Sequence, residues 1–181
     1  MLALDANLTS LILYPHSRPL MDYRIGKPIS EPYQRLSVLI EQADKLTTEI
    51  VIPTPALAEA LVAAEDIQAS LAELKKHARI RIEPFSERAC IELAIRVRQA
   101  LKKKDKRDGV SDVWEKVRVD RQIVATAFIA GATEIYSTDK GVHKHAELWG
   151  MTPKHLSDVP LPHVQGKLIE DKSQRREDKG G

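Results

Sequence analysis

Leu2-Ala3-Leu4-Asp5-Ala6-Asn7 opens the chain, and the architecture of the remainder depends on how this stretch is read. A short, uninterrupted apolar run fits a strand buried on both faces, as in a parallel sheet. Asp5 then stands at the strand's carboxyl end, where open α/β sheets place their ligands. An acid there has few structural uses. Its expected partner is a cation, shared with whatever other acids the chain brings to the same rim.

Working outward, Leu8 to Tyr14 is apolar and reads as a helix. Pro15, Pro19, Gly26, Pro28 and Pro32 then interrupt a stretch too long for an ordinary connection, so 14–32 is an insertion loop. Its basic residues Arg18, Arg24 and Lys27 either face a ligand or are simply solvated. Leu36, Leu39, Ala43 and Leu46 recur at helical spacing, and Glu49 to Ile52 is a β-branched run closed by Pro53. Thr54 and Pro55 read as N-cap and first position of a helix that carries Glu59. Ile67, Leu71 and Leu74 mark another helix, Ala78 to Pro84 a third strand, and Ser86 caps a helix with the stripe Cys90, Leu93, Ala94, Val97 and Leu101. A basic segment from Lys102 to Arg107 follows. Val119, Ile123, Ala127 and Ala130 are spaced for a helix stopped by Gly131. Glu134 to Thr138 is a fourth strand ending at Asp139; Gly141 to Trp149 is a helix, and Pro153 to Leu156 a fifth extended piece. Strands alternating with helices imply an α/β fold: a parallel sheet of four to five strands covered by helices on both faces.

The totals exclude several classes. A net charge of +2 and a pI near 8.6 permit a polyanionic partner without requiring one. No apolar run approaches the ~18 residues of a membrane span. Asp5 interrupts the apolar N-terminus and no basic region precedes it, so no signal peptide is expected and the cytoplasm is the default. Cys90 is the single cysteine, which rules out an intramolecular disulfide and suggests a small buried residue.

Four acids fall at comparable places. Asp5 and Asp139 end strands, Glu59 lies early in a helix entered from a strand, and Asp120 stands near the start of the helix before the last such strand. Carboxylates this close repel, and a hard divalent cation, Mg²⁺ or Mn²⁺, removes the conflict. A cation so held lowers the pKa of bound water and offsets charge on a phosphoryl oxygen, so attack of water on a phosphodiester is the implied chemistry. Asp108 and Asp112, upstream of Asp120, either join the site or sit in solvent, and solvent is the favoured expectation; His143 and His145 are expected on a helix surface rather than around a metal. A glycine-rich phosphate loop is missing, and Asn7 replaces the second acid of an Asp-x-Asp phosphotransfer motif.

The residues also resemble a known family. Leu4-Asp5-Ala6-Asn7 is similar to the opening motif of PIN domains, and Pro53-Thr54-Pro55-Ala56-Leu57-Ala58-Glu59 to their second. Val119-Asp120-Arg121-Gln122-Ile123-Val124-Ala125-Thr126-Ala127 resembles the third and most specific, and Ser137-Thr138-Asp139-Lys140-Gly141 the fourth. The resemblance covers Met1 to about Leu161 and implies a single PIN-like domain over 1–163, with 164–181 a disordered charged tail. It implies a Mg²⁺- or Mn²⁺-dependent endoribonuclease in which Asp5, Glu59, Asp120 and Asp139 are the catalytic, metal-binding quartet and Asn7, Ser137 and Thr138 are accessory. Many small members are VapC-type toxins, which form homodimers and are inhibited by a small antitoxin. The insertion and the basic segment exceed the minimal domain, which sets a stand-alone member beside the toxin as an alternative. Arg118, Arg121, Lys140 and Lys144, with the run Lys102 to Arg107, are the candidates to hold RNA. Aromatic residues are only 4%, so backbone recognition is expected over base stacking. The rival reading is a non-catalytic PIN-fold module that binds RNA or protein.

Overall fold

The computed structural model describes residues 1–15 and 19–161. The expected tail at 164–181 and Arg18 of the insertion lie outside the described residues. In chain order the elements are β1 (Leu2–Leu4), α1 (Ala6–Leu13), β2 (Met21–Asp22), β3 (Lys27–Pro28), α2 (Pro32–Lys45), β4 (Ile50–Pro53), α3 (Thr54–Leu61), α4 (Ile67–Lys75), β5 (Ile80–Glu83), α5 (Glu87–Lys102), α6 (Trp114–Ile129), β6 (Glu134–Ser137), α7 (Lys140–Leu148) and β7 (Thr152–His155). Five strands form one parallel sheet in the order β5-β4-β1-β6-β7, while β2 and β3 make a separate antiparallel hairpin.

β1 is the centre of the sheet, and all three of its residues are buried. Because side chains alternate across a strand, Leu2 and Leu4 point to one face and Ala3 to the other. Leu2 and Leu4 join Leu8, Leu36, Leu39, Ile50 and Ile52 in a core roofed by α1 and α2. Ala3 joins Val51, Ile123, Val124, Ile135 and Val142 in a second core under α6 and α7. The α/β fold with helices on both faces is therefore as expected.

Three expectations need correction. The helix predicted from Val119 begins at Trp114. Asp120, Arg121, Ile123, Val124, Ala125, Thr126 and Ala127 are all buried, so this part of α6 is enclosed nearly all round, whereas its first turns carry Glu115, Lys116 and Arg118 and show no apolar stripe that would mark the start. On α5 the inward edge is Ala89, Leu93, Arg96 and Ala100, rotated one residue from the expected stripe, which leaves Cys90 exposed. Arg96 takes the inward position because its guanidinium lies over Trp149, 4.1 Å from the ring centroid. Finally, Thr54 is the first helical residue of α3 rather than its cap; its hydroxyl accepts instead from the Phe85 N–H at 2.9 Å, tying α3 to the chain after β5.

The insertion is not simply solvated. Asp22 is buried, Arg24 is ion-paired to Asp22 and Asp158 at 2.9 Å each, and Ile29 sinks into the first core. Arg24 thus turns toward its own fold, whereas Lys27 stays exposed.

Candidate metal centre

The strand order reverses at β1. From β1 the chain steps outward to β4 and β5, then returns to lay β6 and β7 on the other side. The carboxyl ends of β1 and β6 flank this switch point, where ligands of open parallel sheets bind. Asp5 follows β1, and Ser137-Thr138-Asp139 closes β6.

Each strand-end acid also caps the helix that follows. Asp5 Oδ1 accepts from the Leu8 N–H at 2.9 Å, and Asp139 Oδ1 from the Gly141 N–H at 2.6 Å. Ser137 joins the two acids: its hydroxyl donates to Asp5 Oδ2 and accepts from the Asp139 N–H at 2.8 Å. Asn7 Nδ2 donates to Thr138 Oγ1 at 3.1 Å, a second link between the β1 and β6 ends. Burial pushes the Asp5 carboxyl up to about 6 against the Ser137 and Leu8 hydrogen bonds, with the Asp139 charge adding to the rise.

Asp120 reaches the same place from the second turn of α6. It is buried, which raises its pKa to about 7; Lys116 opposes the rise, and Asp139 and Glu59 add to it. Glu59 sits exposed on α3 and makes no side-chain hydrogen bond among the described residues. Its carboxyl is also shifted upward, by desolvation first, with Lys116 opposing and Asp139 reinforcing. Carboxylate oxygens of Asp112, Asp120 and Asp139 lie within 4.8 Å of one another. Asp5 and Glu59 border this group rather than belong to it. Asp112 is a correction to the expectation of a solvated side chain.

The ammonium of Lys116 lies among these three acids, 2.7 Å from Asp112 Oδ2, 3.3 Å from Asp120 Oδ2 and 2.7 Å from Asp139 Oδ2. Burial works against its charge, but the Asp112 and Asp139 carboxylates more than compensate and hold its pKa above the usual lysine range. Gly141 supplies the floor: a Cβ there would stand 2.8 Å from Asp120 Oδ2, 3.0 Å from Asp139 Oδ1 and 3.1 Å from Asp112 Oδ2. Lys116 and Asp112 escape a sequence reading that starts the helix at Val119. The signal that reveals them is the spacing Asp112-Lys116-Asp120: Lys116 and Asp120 stand one turn apart on α6, and Asp112 lies just before the helix, four residues from Lys116.

The donor set fits a hard divalent cation. The inner acids Asp120 and Asp139 offer only carboxylate oxygens, and together with Asp112 at the mouth they already draw in an ammonium, so the cleft attracts positive charge. An octahedral Mg²⁺ with oxygens at about 2.1 Å spans about 4.2 Å between opposite ligands. Carboxylate oxygens within 4.8 Å of one another lie close to that span, so these residues would hold one such ion, directly or through water.

Other candidates resolve differently. Arg121 is buried, paired with Asp108 and set 5.7 Å from the Trp114 ring centroid, so it is a structural cation and not a free RNA contact. Asp108 is accordingly an ion-pair partner rather than a solvated acid. Arg118 and Lys140 are exposed, and Lys144 is half-buried against Gly109. His143 and His145 are both buried, contrary to the expectation of a helix surface, because α7 packs into the second core through Val142 and Ala146. His143 lies between the Ser137 carbonyl, 3.1 Å from Nε2, and the Tyr23 hydroxyl, 2.8 Å from Nδ1. Burial lowers its pKa, so the neutral ring donates from Nε2 and accepts at Nδ1.

No protein-family model matches the chain, and no curated protein matches it. Among solved structures, the chain is similar to one in the crystal structure of VapBC2 from Rickettsia felis bound to a DNA fragment from their promoter. The TM-score is 0.54 at 15% identity, over 85% of this chain and 97% of that one. At that identity the likeness is one of fold.

Proposed function

We propose that the protein is a Mg²⁺- or Mn²⁺-dependent endoribonuclease of PIN type. The observation that carries this reading is the meeting of Asp120 and Asp139, from separate elements, with Asp5 beside them at the switch point of a parallel sheet. A bound cation supplies a more acidic water and offsets charge on the phosphoryl oxygen. The chain's own residues do the rest. Asp5, Asp120 and Asp139 would hold the ion, directly or through water, and Glu59 would hold it or orient the attacking water. Ser137 orients the Asp5 carboxylate, and the Asn7–Thr138 bond keeps the two strand ends in register. Arg118 and Lys140 take the RNA backbone, which gives affinity without sequence information. A single PIN-like domain over 1–163, a homodimer, and inhibition by a small antitoxin belong to the same reading. So does a cytoplasmic location; no helix among the described residues is long and apolar enough to cross a membrane.

The test is incubation of purified protein with structured RNAs, with Mg²⁺ or Mn²⁺ or with a chelator, alongside Asp5→Asn and Asp120→Asn. Cleavage is expected only with metal and only from the parent chain. Cleavage that survives chelation or both substitutions contradicts the metal mechanism. RNA binding by a folded protein that never cuts supports the non-catalytic module instead.

A further inference from the structure

Lys116 has a place in the cleft that the nuclease reading does not use. It stands four residues after Asp112, which precedes α6, and one turn before Asp120 on the helix, and it reaches across to Asp139 at the cap of α7. Among the described residues no other lysine or arginine is ion-paired with these three acids. The acids are not equivalent. Side-chain exposure falls from 37% at Asp112 to 20% at Asp139 and 7% at Asp120, while Lys116 itself is 38% exposed. The lysine therefore enters from the solvent side, with Asp112 outermost and Asp120 deepest. Its flexible four-carbon stem allows the ammonium to move without disturbing α6.

A divalent ion and an ammonium cannot both sit against Asp120 and Asp139 without strong repulsion. We propose that Lys116 is a tethered counter-ion which a divalent cation displaces from Asp120 and Asp139, and that Asp112 is the outer berth that receives it. The inference rests on the metal-site reading above. It gives the cleft two states from the same residues. Without metal, Lys116 neutralises the inner acids and keeps the cleft assembled. With metal, the ammonium withdraws to Asp112 at the mouth. Lys116 thereby sets the metal concentration at which the site fills. Asp112 acts through Lys116, as a positioning residue and not as a ligand.

The experiment is titration of the chelator-stripped, full-length protein with Mn²⁺, reading free Mn²⁺ by electron paramagnetic resonance. Lys116→Met, which keeps the apolar stem, is expected to bind Mn²⁺ about tenfold more tightly, because one competing positive charge is gone. Lys116→Gln serves as a second variant should the methionine disturb folding. Asp112→Asn is expected to bind several-fold more weakly, because the ammonium is left with only the inner pair. In the double variant Lys116→Met/Asp112→Asn, loss of Asp112 no longer weakens binding, since its effect passes through the lysine. Equal Mn²⁺ affinity for the parent chain and both lysine variants overturns the proposal and leaves the metal nuclease reading standing. An Asp112 effect of undiminished size in the double variant makes Asp112 a ligand and overturns its role as a berth. Shifted Mn²⁺ affinity with no RNA cleavage by the parent chain supports the proposal and overturns the nuclease reading. No Mn²⁺ binding by any of these proteins overturns both.

Discussion

Asp5 spends both carboxylate oxygens on the protein: one caps α1 and the other takes the Ser137 hydroxyl. Its direction is thus set before any ligand arrives, and Ser137 is what sets it. Ser137→Ala removes the donor to Asp5 and the acceptor for the Asp139 N–H together. It is expected to lower metal affinity or metal-dependent cleavage about 10- to 100-fold, the usual cost of losing a group that orients a ligand. Mn²⁺ titration beside RNA cleavage reads this, and an unchanged affinity and rate would remove Ser137 from the site. Gly141 is the complementary case, a residue defined by what it lacks. Gly141→Ala drives a methyl group to within 2.8 Å of the buried Asp120 carboxylate. The expected loss is about 1–3 kcal/mol in urea denaturation, as for other overpacked positions, with weaker Mn²⁺ binding alongside.

At the scale of elements, α6 and the β2–β3 hairpin depart furthest from an ordinary amphipathic pattern. α6 buries Asp120 and Arg121 side by side and sends them to opposite purposes, one into the acidic cleft and the other to Asp108. The hairpin is clamped by Arg24, which bonds Asp22, Asp158 and Ser157 and so staples the insertion to the turn after β7. Asp22 is 3% exposed, and the Arg24 hydrogen bonds hold its pKa well below the carboxylate range. Arg24→Ala leaves that charge buried with fewer partners. It is expected to cost about 2–4 kcal/mol by urea denaturation. A change within a few tenths of a kcal/mol would show that the hairpin is only loosely attached.

For the whole molecule, the buried acids and histidines pull stability in opposite directions with pH. Without metal, Asp5 and Asp120 hold their protons to about pH 6 and about pH 7 when folded. Unfolded, they release them near pH 4. The folded state therefore binds more protons over that interval, and the stabilisation present below it is lost as the pH rises. His145 does the reverse. Burial, with Arg121 adding, lowers its pKa to about 4, so the unfolded state binds more protons between about pH 4 and 6.5 and stability rises with pH. In chelator the two slopes offset. Saturating Mn²⁺ ionises the acids and leaves the histidine slope, so the urea midpoint is expected to climb from pH 5 to pH 7 only with metal. A stabilisation by Mn²⁺ as large at pH 5 as at pH 7 would mean that protons do not compete for these carboxylates.

The order of the helices and of the five sheet strands, and the two-sided burial of β1, were legible in the chain itself, because apolar period and turn residues are local properties: Leu2 to Leu4, Ile50 to Ile52 and Glu134 to Ser137 each announce a strand without reference to the others, whereas the β2–β3 hairpin within 14–32 carries no such pattern. Strand-end position likewise singled out Asp5 and Asp139, and Asp120 was drawn to them by its helix. The rest belonged to the tertiary structure. Whether Asp112 is solvated or joins the cleft, whether Arg121 faces RNA or Asp108, and whether Arg96 or Cys90 turns inward on α5 depend on which distant groups arrive beside each side chain. Charge makes a residue conspicuous in a sequence. Only packing decides whether that charge is spent on a ligand or on the protein's own interior, because burial makes an unpaired charge costly and selects its partner by distance.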